Sequence, residues 1–96
     1  MITTSSTIVV SKDQVSCDLA GEAAILNLKN GVYYGLDTVG ASIWNRIQQP
    51  ATVASVREAL VQEFDVDAQR CENDLLELLQ KLATEGLVEI THETAA

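Results

Sequence analysis

The segment from Leu26 to Leu36 constrains the fold of this chain most, because it predicts two β-strands joined by a turn. The dipeptide Asn30-Gly31 within it favours the positive φ angles that a tight hairpin turn requires. We therefore expect a first strand over Ala23–Leu28 and a return strand over Val32–Leu36. A protein with this hairpin needs further elements to cover one face of it.

Upstream of the hairpin, the short β-branched run Thr7–Val10 predicts another strand, and Val15–Asp18 predicts a second short extended piece. Ala20 and Gly21 are interpreted as a break in the chain before the hairpin. We expect Thr7–Val10 to pair with the first hairpin strand. In that arrangement the return strand keeps one side without a partner.

From the hairpin to Gly86 the sequence predicts helices, with Pro50 ending the first of them. The predicted N-caps are Asp37 or Thr38, Thr52, and Asp67, and the third and longest helix is expected over Ala68–Glu85. Gly86 is predicted as the glycine after that helix, with Leu87 folding back on Leu82. The run from Leu87 to Ile90 is a candidate last strand.

The predicted fold class is α+β, a winged-helix-like domain with a three-stranded antiparallel sheet followed by three helices. The chain has 96 residues, enough for one domain. We expect a disordered N-terminus over 1–6, a single domain over 7–90, and a frayed C-terminus over 91–96.

The formal net charge of −8 disfavours nucleic acid and anionic membranes as partners, because both carry negative charge. A winged-helix protein that binds DNA is the alternative suggested by the fold class. Its third helix, however, would bring acidic side chains such as Asp74, Glu77 and Glu85 to the phosphates. No long apolar run predicts a membrane span and no signal sequence is evident, so we expect a cytoplasmic protein.

Catalytic and metal-binding patterns are lacking in the sequence. Cys17 and Cys71 lie far apart and are expected to be buried free thiols, and His92 is the single histidine. Paired carboxylates at a catalytic spacing, a Ser-His-Asp set and a glycine-rich phosphate loop do not occur. We therefore expect neither an enzyme nor a cofactor.

The predicted third helix has an apolar arc of about 160°, wider than the roughly 100° that packing against one core face requires. One flank of the arc carries Cys71, Leu78 and Leu82, bordered by Asp67, Arg70, Asp74 and Lys81. This flank suits one wall of a peptide groove. Two simpler explanations stay open: the helix lies between a sheet and two helices, and Arg70 with Asp74 forms a surface ion pair.

The return strand Val32–Leu36 is the candidate second wall, since it carries no charge that would protect an open sheet edge. Gly35 in its interior suits the close approach of another backbone. Five residues span roughly 16 Å, enough to align a short extended peptide as an added strand. As alternatives, Tyr33 and Tyr34 are ordinary strand aromatics, or the same edge joins two copies of the chain.

An ordered set of residues along most of the chain resembles the PqqD-like family, the precursor-peptide recognition elements of ribosomally made, modified peptides. The residues that carry the resemblance are Ala24–Leu28, Gly31–Asp37, Gly40 with Ile43 and Trp44, Thr52, Arg70 with Asp74, Leu75, Leu78, Leu79 and Leu82, and Glu85–Val88. The strand and the helix after it look most like the standalone recognition proteins of lasso-peptide pathways. A peptide chaperone of the pyrroloquinoline quinone pathway, or of another pathway of this kind, is the alternative.

The resemblance implies a non-enzymatic protein that binds the leader segment of a precursor as an added strand beside the third helix. It also implies a separate leader peptidase of the cysteine-protease type as a partner, and a cyclase that acts afterwards. Leaders in lasso systems carry a Tyr-x-x-Pro-x-Leu pattern, for which Tyr34, Leu36, Leu75 and Leu78 are the expected apolar pockets. The predicted peptide-binding residues are Val32, Tyr33, Tyr34, Gly35, Leu36, Asp67, Arg70, Cys71, Asp74, Leu75 and Leu78.

Overall fold

Residues 2–91, which the computed structural model describes, form six strands and three helices. The strands are β1 (Thr7–Val10), β2 (Gln14–Leu19), β3 (Glu22–Asn27), β4 (Tyr33–Leu36), β5 (Ala51–Thr52) and β6 (Val88–Thr91). The helices are α1 (Thr38–Arg46), α2 (Val53–Phe64) and α3 (Ala68–Thr84). The predicted α+β class is confirmed.

The strands form two antiparallel sheets, with the orders β2-β3-β4 and β5-β1-β6. The predicted pairing of Thr7–Val10 with the first hairpin strand is therefore wrong, and β2 occupies that place. Ala20 and Gly21, which we interpreted as a break, form the two-residue turn between β2 and β3, with φ angles of 53° and 90°. Positive φ at both central residues gives a turn whose twist matches that of the two strands it joins. β2 and β3 therefore form a tight hairpin.

The connection between β3 and β4 is wider than the predicted tight turn at Asn30-Gly31. The amide of Asn27 donates to the carbonyl of Val32 at 2.9 Å, and the amide of Gly31 donates to the carbonyl of Asn27 at 2.8 Å. Residues 28–32 thus form the loop. The Asn30 side chain accepts from the amide of Val32, so both main-chain groups of Val32 have partners and β4 begins only at Tyr33.

Each helix begins at an N-cap that the sequence predicted. The side chains of Asp37, Thr52 and Asp67 accept hydrogen bonds from the amides three residues later, at 2.9, 3.2 and 2.9 Å. These bonds satisfy amides that have no partner within a helix. α1 ends at Arg46, a few residues before the predicted stop at Pro50.

The C-terminal end of α3 has the predicted geometry. Gly86 has a φ of +75°, its amide donates to the carbonyl of Ala83 at 3.0 Å, and the amide of Leu87 donates to the carbonyl of Leu82 at 2.9 Å. This pair of bonds is a Schellman motif, which ends the helix and turns the chain back over it. The chain then enters β6, as the apolar run from Leu87 predicted.

Residues 2–6 pack on the domain, in contrast to the disorder predicted over 1–6; Met1 lies outside the residues described. Ile2 and Ser6 are buried, and the carbonyl of Ser6 accepts from the amide of Val53 at 3.0 Å. The carbonyl of Thr4 likewise accepts from the amide of Ala54 at 3.1 Å. At the C-terminal end, Thr91 of β6 pairs with Thr7 of β1. The rest of the segment predicted to fray lies outside the residues described.

One hydrophobic core joins the helices to both sheets. Its fully buried side chains come from β1, β3, the three helices, and the residues just after α1 and α3. They include Ile8, Ile25, Trp44, Ile47, Val53, Leu60, Leu75, Leu79 and Leu87. α1 packs on β3, and α2 packs against both α1 and α3. This arrangement places α3 on the side of the molecule where β4 ends.

We expect Gly86→Ala to lower the free energy of unfolding by about 1–2 kcal/mol, because an L-residue at positive φ is strained. Gly35→Ala is the matched control, since Gly35 has no positive φ and an added Cβ there meets nothing within 4 Å. Urea denaturation of both variants measures the difference. Equal stability of the two would contradict the left-handed conformation of Gly86.

Candidate functional site

The pairing of β4 with β3 determines which main-chain groups of β4 are free. The bond from Asn27 to Val32 marks that pair as hydrogen-bonded, and the Cα register continues with Ile25 opposite Tyr34. Since hydrogen-bonded and non-bonded pairs alternate in an antiparallel ladder, Tyr34 also directs its amide and carbonyl toward β3. Leu36, two residues on, does the same.

Tyr33 and Gly35 therefore direct their amide and carbonyl groups away from β3. Within residues 2–91, β4 has no second strand neighbour, so these groups face an open sheet edge. The side chain of Tyr33 stands on the outer face of the sheet with 71% of its surface exposed. The edge is uncharged and can pair with another extended chain.

A groove of about 590 Å³ lies beside this edge. One wall is formed by β4 and the first half of α1, and the other by the end of α2, the α2–α3 connection and α3. The lining residues are Gly35, Leu36, Asp37, Val39, Gly40, Ile43, Leu60, Phe64, Val66, Arg70, Cys71, Asp74, Leu75 and Leu78. Together, the strand edge and the groove form a site that could bind an extended chain and bury its side chains.

Most of the groove surface is apolar. Leu36, Ile43 and Leu60 belong to the core and present only a little surface, whereas Phe64 and Leu78 are half-buried. At the rim, Val39 and Val66 leave 43% and 44% of their surfaces exposed. Aliphatic and aromatic side chains that entered the groove would therefore leave water for an apolar environment.

Three charged residues lie at the groove: Asp37, Arg70 and Asp74. The Asp37 carboxylate is engaged as the N-cap of α1. The surface ion pair between Arg70 and Asp74, an alternative that the sequence left open, is not among the ion pairs of residues 2–91. Both side chains are exposed, so they are accessible to polar groups of a ligand.

The fold brings a majority of the predicted site residues together in the groove: Gly35, Leu36, Arg70, Cys71, Asp74, Leu75 and Leu78. Val32 lies in the loop before β4, and Asp67 caps α3. The Tyr34 hydroxyl donates to Glu85 at 2.6 Å instead of lining the groove. The prediction that the main chain of Val32 is free is wrong, because Asn27 and Asn30 occupy it.

The sequence prediction omitted half of the groove lining: Asp37, Val39, Gly40, Ile43, Leu60, Phe64 and Val66. Leu60 and Phe64 are spaced four residues apart on α2, as Val39 and Ile43 are on α1, so each pair lies on one helix face. The same spacing describes an ordinary core stripe. Only the packing of the helices distinguishes a face that meets the core from a face that borders a groove.

Cys71 is the nucleophilic side chain of the groove, and it is 8% exposed. Burial, with a further contribution from the nearby Asp74, raises the pKa of its thiol. Cys17 is exposed on β2, so the prediction that both cysteines are buried is wrong for Cys17; both thiols are free. In the part of the chain described, no cluster of side chains has the composition of a metal site, and no helix has the length and hydropathy to span a membrane.

Comparisons with known proteins converge on this architecture. The sequence pattern of the family described as "Coenzyme PQQ synthesis protein D (PqqD)" matches residues 22–88. The solved structure of TbiB1 in complex with the TbiA(beta) leader peptide superimposes with a TM-score of 0.80 at 32% sequence identity, over 92% of this chain and 99% of that chain. No sequence among the curated proteins matches significantly.

We expect Cys71 to react with iodoacetamide at pH 8 at least about ten times more slowly than Cys17. A raised thiol pKa lowers the thiolate fraction at a given pH, and burial limits access to it. Peptide mass spectrometry over a time course measures both rates in one sample, with Cys17 as the internal control. Equal rates would contradict the buried position of Cys71.

Proposed function

The chain belongs to the PqqD family, and from that premise we propose that it binds the leader segment of a ribosomally synthesised precursor peptide. The leader adds as a β-strand to the outer edge of β4 and directs its side chains into the groove beside α3. The observation that carries this proposal is the open edge of Tyr33 and Gly35 next to an apolar groove. The similarity to TbiB1, whose structure contains a leader peptide, supports it.

Main-chain hydrogen bonds supply only part of the affinity. The amide and carbonyl groups of Tyr33 and Gly35 offer four bonds, which contribute about 1 kcal/mol each to the net free energy of binding. A micromolar complex requires about −8 kcal/mol and a nanomolar one about −12 kcal/mol. Apolar side chains of the leader must therefore supply at least as much as the strand does.

We assign the apolar part of recognition to Leu36, Leu75 and Leu78, with Cys71 about one turn before Leu75 on α3. The Tyr, Pro and Leu of a lasso-type leader are side chains that such a surface accommodates. Arg70 and Asp74 pair with charged or polar leader groups at the rim of the groove. Asp67 contributes indirectly, because it caps the helix that carries these residues.

The proposed role is binding without catalysis. Cys71 is a poor nucleophile, since burial raises the pKa of its thiol and disfavours the thiolate. We propose that the bound leader is presented to a separate leader peptidase of the cysteine-protease type, and that a cyclase acts afterwards, as in lasso-peptide maturation. The leader is then held at a defined register while another protein performs the chemistry.

Titration with a synthetic TbiA(beta) leader peptide tests the proposal, with a scrambled peptide as the control. We expect a dissociation constant between micromolar and nanomolar, together with amide chemical-shift changes concentrated at Tyr33 and Gly35. Absence of binding above the scrambled peptide would contradict the proposed function. Shifts confined to β2 or to the β5-β1-β6 sheet would contradict the site.

An N-methyl scan of the same leader tests strand addition directly. We expect methylation to weaken binding about tenfold at alternate positions only, because every second amide of an added strand points toward β4. Isothermal titration calorimetry of each methylated peptide measures the effect. A uniform loss along the peptide, or no loss at any position, would exclude pairing with the edge.

Leu78→Ala and Leu76→Ala form a matched pair on α3, since both leucines are half-buried and only Leu78 lines the groove. We expect each to lower the free energy of unfolding by about 1–2 kcal/mol. Leu78→Ala should weaken binding of the TbiA(beta) leader about tenfold or more, whereas Leu76→Ala should leave it within about twofold. Calorimetry and urea denaturation separate the two effects, and equal binding losses would place the leader elsewhere.

A further inference from the structure

Glu85, at the C-terminal end of α3, accepts hydrogen bonds from two neighbouring strands of the β2-β3-β4 sheet. The Tyr34 hydroxyl of β4 donates to its Oε2 at 2.6 Å, and the Asn27 side chain of β3 donates to its main-chain carbonyl at 2.8 Å. These residues lie more than fifty positions apart in sequence from Glu85. One residue thus ties the helical wall of the groove to its strand wall.

The surroundings of Asn27 fix its side chain in the position from which it donates to Glu85. It is 4% exposed, and its Nδ2 donates to Glu85 while its Oδ1 accepts from the amide of Lys29 at 2.9 Å. Its own amide and carbonyl bond to Val32 and Gly31. The loop between β3 and β4 is therefore anchored on the same residue that meets α3.

The bond from Tyr34 to Glu85 has the character of a strong one. A phenol that donates to a carboxylate forms a charge-assisted hydrogen bond, and the short distance agrees with that. The hydrogen bond to Glu85 raises the pKa of Tyr34, so the phenol keeps its proton beyond the pH at which an ordinary tyrosine loses it. The donor is present throughout the neutral range.

The contacts of Glu85 lie near one end of the groove. The groove is lined by Gly35 and Leu36 on β4 and by Arg70 to Leu78 on α3. Glu85 follows Leu78 by seven residues, which corresponds to about 10 Å along the helix axis. The two walls are thus joined beyond one end of the groove.

We propose that Glu85, Tyr34 and Asn27 form a tie that sets the separation of β4 and α3 in the free protein and so preforms the leader site. The inference rests on the proposed function and deepens it, by assigning Tyr34 and Glu85 as positioning residues that do not themselves contact the leader. A site that is already open at the correct width costs less ordering free energy on binding. When the tie is broken, only a fraction of the molecules has the competent width, and the apparent affinity falls by that fraction.

The test compares Tyr34→Phe with Ser42→Ala, which removes a hydroxyl that lies outside the groove and donates to another carboxylate, that of Glu63, at the same distance of 2.6 Å. The probe is the TbiA(beta) leader peptide, and stopped-flow fluorescence gives its association and dissociation rates. We expect Tyr34→Phe to raise the dissociation constant about tenfold, mainly through slower association, with the thermal unfolding midpoint little changed. Ser42→Ala should leave both rates within about twofold of the unmodified protein.

Substitution of Glu85 gives a second, independent measurement. Glu85→Gln keeps an oxygen that accepts from Tyr34, so we expect it to weaken binding less than Glu85→Ala does. Tyr34→Phe combined with Glu85→Ala should lose no more than Glu85→Ala alone, because both act on one contact. In the free protein, hydrogen exchange of the Tyr34 amide should accelerate in Tyr34→Phe and stay unchanged in Ser42→Ala.

The outcomes separate the two proposals. If the unmodified protein binds the leader and Tyr34→Phe behaves as Ser42→Ala does, the tie is overturned while leader binding stands. A loss that appears only as faster dissociation would make Tyr34 a direct contact and would also overturn the positioning role. If the unmodified protein does not bind the leader above a scrambled peptide, the proposed function and this inference fall together.

Discussion

The antiparallel pairing of β3 with β4 is the interaction on which the rest of the site depends. Its register makes Ile25 and Tyr34 a hydrogen-bonded pair and turns the polar groups of Tyr33 and Gly35 outward. A slip by one residue would move Leu36 out of the core and exchange the two sets of main-chain groups. Since Leu36 is buried, the core that stabilises the sheet also decides which amides stay open.

The groove follows from the way the helices pack around that sheet. α2 packs against both α1 and α3, so Leu60 and Phe64 near its end lie between the two walls. The wide apolar arc of α3 is divided accordingly: Leu79 and Leu82 are buried in the core, and Leu78 borders the groove. The sequence left open whether this arc was core alone or core with an added binding face, and both uses occur on one helix.

In the β2-β3-β4 sheet, the local turn preferences of the sequence differ from the turns that are observed. Asn30 and Gly31 have the stronger preference for a tight turn, yet the two-residue turn with two positive φ angles lies at Ala20 and Gly21. Alanine seldom adopts positive φ, so the local sequence indicated a break at Ala20 and Gly21 but not a two-residue hairpin turn. The open edge of β4 was still predicted, because β2 took the place expected for β1 on the far side of β3.

Features that depend on a few neighbouring residues could be predicted from the amino-acid sequence. These are the N-caps, the glycine stop at Gly86, the three helices and the strand that carries Tyr33 and Gly35, because capping bonds and φ preferences act over three or four positions. Packing of the whole domain sets the strand partners, the contribution of α1 and α2 to the groove, and the bond from Tyr34 to Glu85. Those contacts join residues far apart in the chain, and their geometry exists only once the core has packed.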